Sequence, residues 1–166
     1  MRVREDQISG PGGEGIYGVV AMQNPAVFIV ALDDQDRVCL VTIDRYTVGP
    51  STEVPAGGTD GENPLLAAQR ELHEETGFEA KDWTFLGTMH ALNGIAEATE
   101  YVFLARNLRP SMSGEDAALT QAEEGIHAVT WVPFADVLTM IADGSITDGE
   151  TIAAIAKVGV RLGRFA

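Results

Sequence analysis

The chain has 166 residues, of which 45% are apolar, enough for one domain with a substantial core. Its formal net charge is −14 with only 11 basic residues, which excludes a surface built to neutralise nucleic-acid phosphates or anionic lipid. The single cysteine, Cys39, excludes an internal disulfide and a thiolate metal cluster.

The N-terminus, MRVREDQISG, is polar and lacks the apolar core of a signal peptide. No apolar run approaches the ~18 residues a membrane span needs. Together these point to a cytoplasmic protein. GPGGEG (10–15) is a turning segment. Three β-branched runs follow, IYGVVAM (16–22), AVFIVAL (26–32) and RVCLVTI (37–43), the last two joined by an Asp-rich hairpin turn. Cys39 falls in the third run as a small core residue. TEVP (52–55) is extended, and AGGTDGEN (56–63) reads as a Gly-rich loop.

Asn63 as N-cap and Pro64 at the first helical position start a helix that Gly77 should end. Residues 83–92, 99–108 and 126–132 read as strands, with a polar acidic loop over 109–125. Two helical patterns, 133–142 and 148–158, close the chain. Strands, one inserted helix, more strands and then helices predict an α+β fold, not a regular βαβ alternation.

The helix starting at Pro64 carries the sequence RELHEETGF (70–78). At about 100° per residue, Glu71, Glu74 and Glu75 share one face about 100° wide. Leu65, Ala68 and Leu72 form a narrow apolar stripe beside it, and Leu66 lies on the far side. Glu71 and Glu75 are a like-charge i,i+4 pair, and the acids sit at the helix C-terminus, where the dipole disfavours them. Arg70, the one cation of the helix, lies to the side of the cluster. A divalent cation would offset both penalties. Carboxylates without Cys select a hard ion, Mg²⁺ or Mn²⁺, and such an ion lets an acidic protein hold a pyrophosphate.

These residues resemble the Nudix hydrolase signature: Glu62, seven residues, then Arg70-Glu71-Leu72-His73-Glu74-Glu75-Thr76-Gly77-Phe78. The pattern's leading Gly falls on Ala56, with Gly57 one residue later. The resemblance implies an α/β/α sandwich of mixed β-sheet over 26–166. Its implied metal ligands are Glu71, Glu74 and Glu75, with a backbone carbonyl from Ala56 or Gly57. It implies structural roles for Arg70, paired with Glu62, and for Gly77. His73 takes a variable position and reads as a surface residue. Outside this segment, residues 44–62, 93–108 and 143–156 are similar to the ADP-ribose pyrophosphatase branch. That likeness makes 1–25 extra N-terminal strands, exchanged across a homodimer. It places Arg45 on the pyrophosphate, Glu53 near the metals, and an acid of the 109–125 loop, Glu124 ahead of Glu123, as ligand or base. The branch's proline some 15 residues past the signature is absent here, where Asn93-Gly94 stand.

The implied activity is metal-dependent hydrolysis of a nucleoside diphosphate linked to another group, with ADP-ribose giving AMP and ribose 5-phosphate. Rival readings are a Nudix enzyme for a nucleotide sugar, dinucleotide or oxidised nucleotide, a Nudix-fold ligand sensor without catalysis, and an acidic structural domain. A sensor would have shed the box acids, and Glu71, Glu74 and Glu75 are all present.

Overall fold

A computed structural model describes residues 1–165. Its centre is a four-stranded mixed sheet ordered β6-β3-β9-β7, made of Ala56–Gly58 (β6), Ala26–Ala31 (β3), Thr99–Pro110 (β9) and Phe78–His90 (β7). β3 and β9 run parallel, while β6 and β7 flank them antiparallel. A strand buried on both faces must be apolar throughout, and β3 is: AVFIVA. Its alternation divides the core in two. Val27, Ile29 and Ala31 pack with Ala67, Ala68 and Leu72 of helix α1 (Pro64–Thr76). Phe28 and Val30 face the other way, toward α3 (Phe134–Ala142) and α4 (Gly149–Arg161), where Val137, Ala154, Ile155 and Val158 are buried. One sheet with helices on both faces is the predicted α/β/α sandwich.

A second sheet, β10-β4-β5, is antiparallel and comprises Ile126–Pro133, Arg37–Arg45 and Gly49–Glu53. The third is small: the hairpin Arg2–Gly10 (β1) and Gly13–Ala21 (β2), with two residues of β8 (Ala96–Glu97) alongside. No helix among the described residues is long and apolar enough to cross a membrane.

The polar N-terminus forms β1, whose alternation is hidden because most of its residues are exposed. Three sequence expectations need correction. The glycine-rich segment at Ala56–Gly58 is a strand held antiparallel on β3. β7 begins at Phe78, directly after α1, instead of at Trp83. The acidic segment 109–125 contains helix α2 (Gly114–Glu123), capped by Ser113 accepting from Asp116 N and with Glu115 and Asp116 in its first turn. None of its residues is fully buried, so it shows no apolar stripe.

Candidate active site

α1 forms where its caps predict. The Asn63 side chain accepts from Leu65 N at 3.0 Å, and Pro64 supplies a preset φ where no N–H is needed. Gly77 ends the helix at φ 74°, its N–H donating to His73 O at 2.9 Å. A Cβ on Gly77 would stand 2.9 Å from Ala117 Cβ of α2, so the same glycine lets α2 pack against the end of α1. Leu72 is wholly buried, whereas Leu66 is 58% exposed, as the wheel predicts.

Burying the Leu72 stripe turns the acids toward β6. Glu71 and Glu75 are almost fully enclosed, 7% and 6% exposed. Glu75 accepts a hydrogen bond from Ala56 N at 2.9 Å. Glu71 occupies the space beside Gly57 so closely that any Cβ there would collide with its carboxylate. The one-residue offset of the glycines thus has a physical reading: Ala56 meets Glu75, and the bare backbone of Gly57 admits Glu71.

Arg70 does more than flank the cluster. Its Nη1 lies 2.8 Å from Glu71 Oε1 and 2.9 Å from Glu74 Oε2, its Nε donates to Glu62 Oε2 at 3.2 Å, and its Nη2 donates to Gly58 O at 3.0 Å. One guanidinium fork ties the helix, the loop before it and β6 together. The expected Glu62–Arg70 pair is present, and Arg70 also offsets part of the charge crowding that the wheel leaves unpaired. His73 is not a free surface group: it is half-buried and its Nδ1 lies 2.8 Å from Ser111 Oγ.

Burial dominates the electrostatics. It pushes the Glu71 carboxyl up, against the pull of Arg70. It pushes Glu75 up to about 8, opposed by the Ala56 N–H and reinforced by the charges of Glu71 and Glu124. Glu124 is the residue that follows α2, and its charge reaches both Glu71 and Glu75. An acid far along the chain from the signature thus lies close enough for its charge to act on the same two carboxylates.

β6 also borders a cleft of about 480 Å³. Arg45, Glu53, Ala56 and Gly57 line it. Arg45, in register with Gly49, and Glu53, in register with Val41, reach each other along the β4–β5 pair and form a two-pronged contact, Nε to Oε1 at 3.0 Å and Nη2 to Oε2 at 2.5 Å. Glu53 is 5% exposed, and its hydrogen bonds hold the Arg45 guanidinium above its ordinary pKa. Val54 N donates to the buried Thr151 hydroxyl at 3.1 Å, which brings the start of α4 to the same cleft with Asp148 and Glu150. Glu100, Asp148 and Glu150 were not singled out from the sequence. Glu100 had a signal: it continues the inward register of Val102 and Leu104, where a charge is out of place.

The donor set of Glu71, Glu74 and Glu75 is made of hard oxygens, suited to Mg²⁺ or Mn²⁺. Among the described residues no three acids converge on one point, because Glu71 and Glu74 are both engaged by Arg70.

This geometry, a glutamate-bearing helix end beneath a glycine-containing edge strand, agrees with comparison to known proteins. The NUDIX domain model matches residues 22–155. An ADP-ribose pyrophosphatase of Mycobacterium tuberculosis is 34% identical over 94% of this chain and 75% of its own. One of Bacillus subtilis is 30% identical over 90% of this chain and 80% of its own. A solved structure described as an ADP compounds hydrolase superposes with a TM-score of 0.80 at 23% identity, covering 97% of this chain and 85% of that one. The chain belongs to the Nudix family.

Proposed function

We propose that this protein hydrolyses a nucleoside diphosphate linked to a second group, with ADP-ribose cleaved to AMP and ribose 5-phosphate. The observation that carries this reading is the position of β6. Ala56 and Gly57 touch Glu75 and Glu71 and also line the Arg45 cleft, so the acids and the cleft meet at this backbone. The relatives named ADP-ribose pyrophosphatase support the choice of substrate.

In this reading Glu71, Glu74 and Glu75, with the Ala56 carbonyl and Glu124, hold Mg²⁺ or Mn²⁺. The residues fit such an ion: their oxygens are hard ligands, and the enclosed Glu75 keeps its proton until a cation takes that place. Bound there, the cation supplies charge for the phosphoryl oxygens and acidifies water. The chain's own residues do the rest. Arg45, braced by Glu53, meets the negative charge that grows on the diphosphate. A glutamate of this set, Glu124 by virtue of its exposure, accepts the proton of the attacking water. The water oxygen bonds to phosphorus as the bridging P–O bond breaks. Arg70, Glu62 and Gly77 hold the helix end in place.

We further propose a cytoplasmic homodimer in which the strands of residues 1–25 exchange between protomers. The hairpin leaves Val3, Ile16 and Tyr17 exposed and touches the rest of its own chain mainly along residues 94–97, a poor arrangement for a lone protomer.

The test is turnover of ADP-ribose, NADH, a diadenosine polyphosphate, a nucleotide sugar and a nucleoside triphosphate, each with Mg²⁺ and with EDTA. Metal-dependent turnover centred on ADP-ribose is expected. Preference for another diphosphate would keep the chemistry and discard the substrate.

A further inference from the structure

Four acids line the cleft beside Arg45: Glu53, Glu100, Asp148 and Glu150. Glu53 is paired with Arg45. Asp148 caps α4, accepting from Thr151 N at 2.7 Å. Glu100 is different. It is 7% exposed, near the start of β9 and in register with Ala26 of β3. Among the described residues it has neither a hydrogen bond nor an ion pair; only burial and the charges of Glu150 and Asp148 act on it. No side-chain oxygen among the described residues is both sealed and unpartnered, so the Glu100 oxygens reach open space. Glu100 lines both this cleft and an apolar cavity of about 270 Å³, and the Glu150 and Asp148 charges that act on it belong to the cleft. A buried carboxylate without a partner is costly and marks a place where a ligand completes the bonding.

The surroundings narrow the ligand. With Glu150 and Asp148 beside it, Glu100 repels a phosphate. What fits is a neutral group rich in hydrogen-bond donors, and a vicinal diol offers two hydroxyls to one carboxylate.

We propose that Glu100 is a specificity-determining residue whose buried carboxylate, lining the Arg45 cleft, accepts hydrogen bonds from the hydroxyls of a substrate ribose. This rests on the ADP-ribose reading. That substrate has two riboses, and the test separates them. Wild type, Glu100→Gln and Glu100→Val are assayed on ADP-ribose and on analogues lacking the 2-hydroxyl of one or the other ribose. Glu100→Val should lower kcat/KM for ADP-ribose by about 10- to 100-fold, mostly through KM. Glu100→Gln, which keeps one acceptor oxygen, should lose less. On the analogue lacking the contacted hydroxyl, wild type should fall to the level of Glu100→Val, and the variant should fall no further. That analogue identifies the ribose. Equal loss by Glu100→Val on every analogue, or none on ADP-ribose, overturns the proposal while leaving the substrate reading standing. A wild type that leaves ADP-ribose intact overturns both. Thermal melting of each variant at pH 6 verifies folding, so that a loss from unfolding is not taken for one of recognition.

Discussion

At the scale of single residues, the site depends on atoms that are absent as much as on those present. Gly57 is the sharpest case, because Glu71 fills the space a Cβ would need. Gly57→Ala should displace Glu71 from β6, destabilise the fold by about 1–3 kcal/mol and remove most activity. Thermal melting and steady-state kinetics check both parts. Glu75, pushed up to about 8 by burial, is largely protonated at pH 7.5 without a cation. Adding Mg²⁺ should therefore release protons, and calorimetry in buffers of different ionisation enthalpy measures them. Release of none would mean that Glu75 is not a ligand. Glu100 gives a pH test of stability. Its folded pKa, raised to about 7, exceeds the ordinary 4.5, so its stabilising contribution is full below about 4.5 and is lost as pH rises through 7. Glu100→Gln should accordingly raise the melting temperature at pH 8.5 and not at pH 4.5. Burial sets most of that gain, and the charges of Glu150 and Asp148 add to it.

At the scale of elements, what could be read from the sequence follows from what each segment buries. α1 was legible because Asn63-Pro64 and Gly77 mark its ends and Leu65, Ala68 and Leu72 mark its inner face. β3 was legible as an apolar run bounded by turn residues. α2 was not, since no residue of it is fully buried and its helix signals are purely local, the Ser113 cap and the acids after it. β1 was hidden by charges on a strand exposed on both faces. In the site, the box acids and Arg45 carried local patterns. Glu100 carried only the weak signal of a charge in the inward register of Val102 and Leu104, and its meaning lies in the acids that α4 brings beside it. The contact between α1 and α2 yields its own prediction. Gly77 combines φ 74° with a 2.9 Å approach to Ala117, so Gly77→Ala should cost more than about 1 kcal/mol and loosen α2, which carries Glu124 to the centre. Denaturant unfolding and hydrogen exchange over Gly114–Glu123 measure the two effects.

At the scale of the whole molecule, the fold resolves the conflict between a net charge of −14 and an anionic substrate. Most acids stay outside, while β6 joins the enclosed acids to the cleft where Arg45 waits. Exchange of the exposed hairpin of residues 1–25 in the proposed dimer makes a prediction: Ile16→Asp should shift the protein toward monomer in light scattering. The central claim is that the enclosed acids of α1 are the chemical centre. Its most direct test is ADP-ribose hydrolysis by wild type and Glu75→Gln with Mg²⁺, following AMP. The account predicts AMP release by wild type, abolished by EDTA, and a loss of at least about 100-fold in Glu75→Gln. A Glu75→Gln variant that releases AMP at the wild-type rate would contradict it.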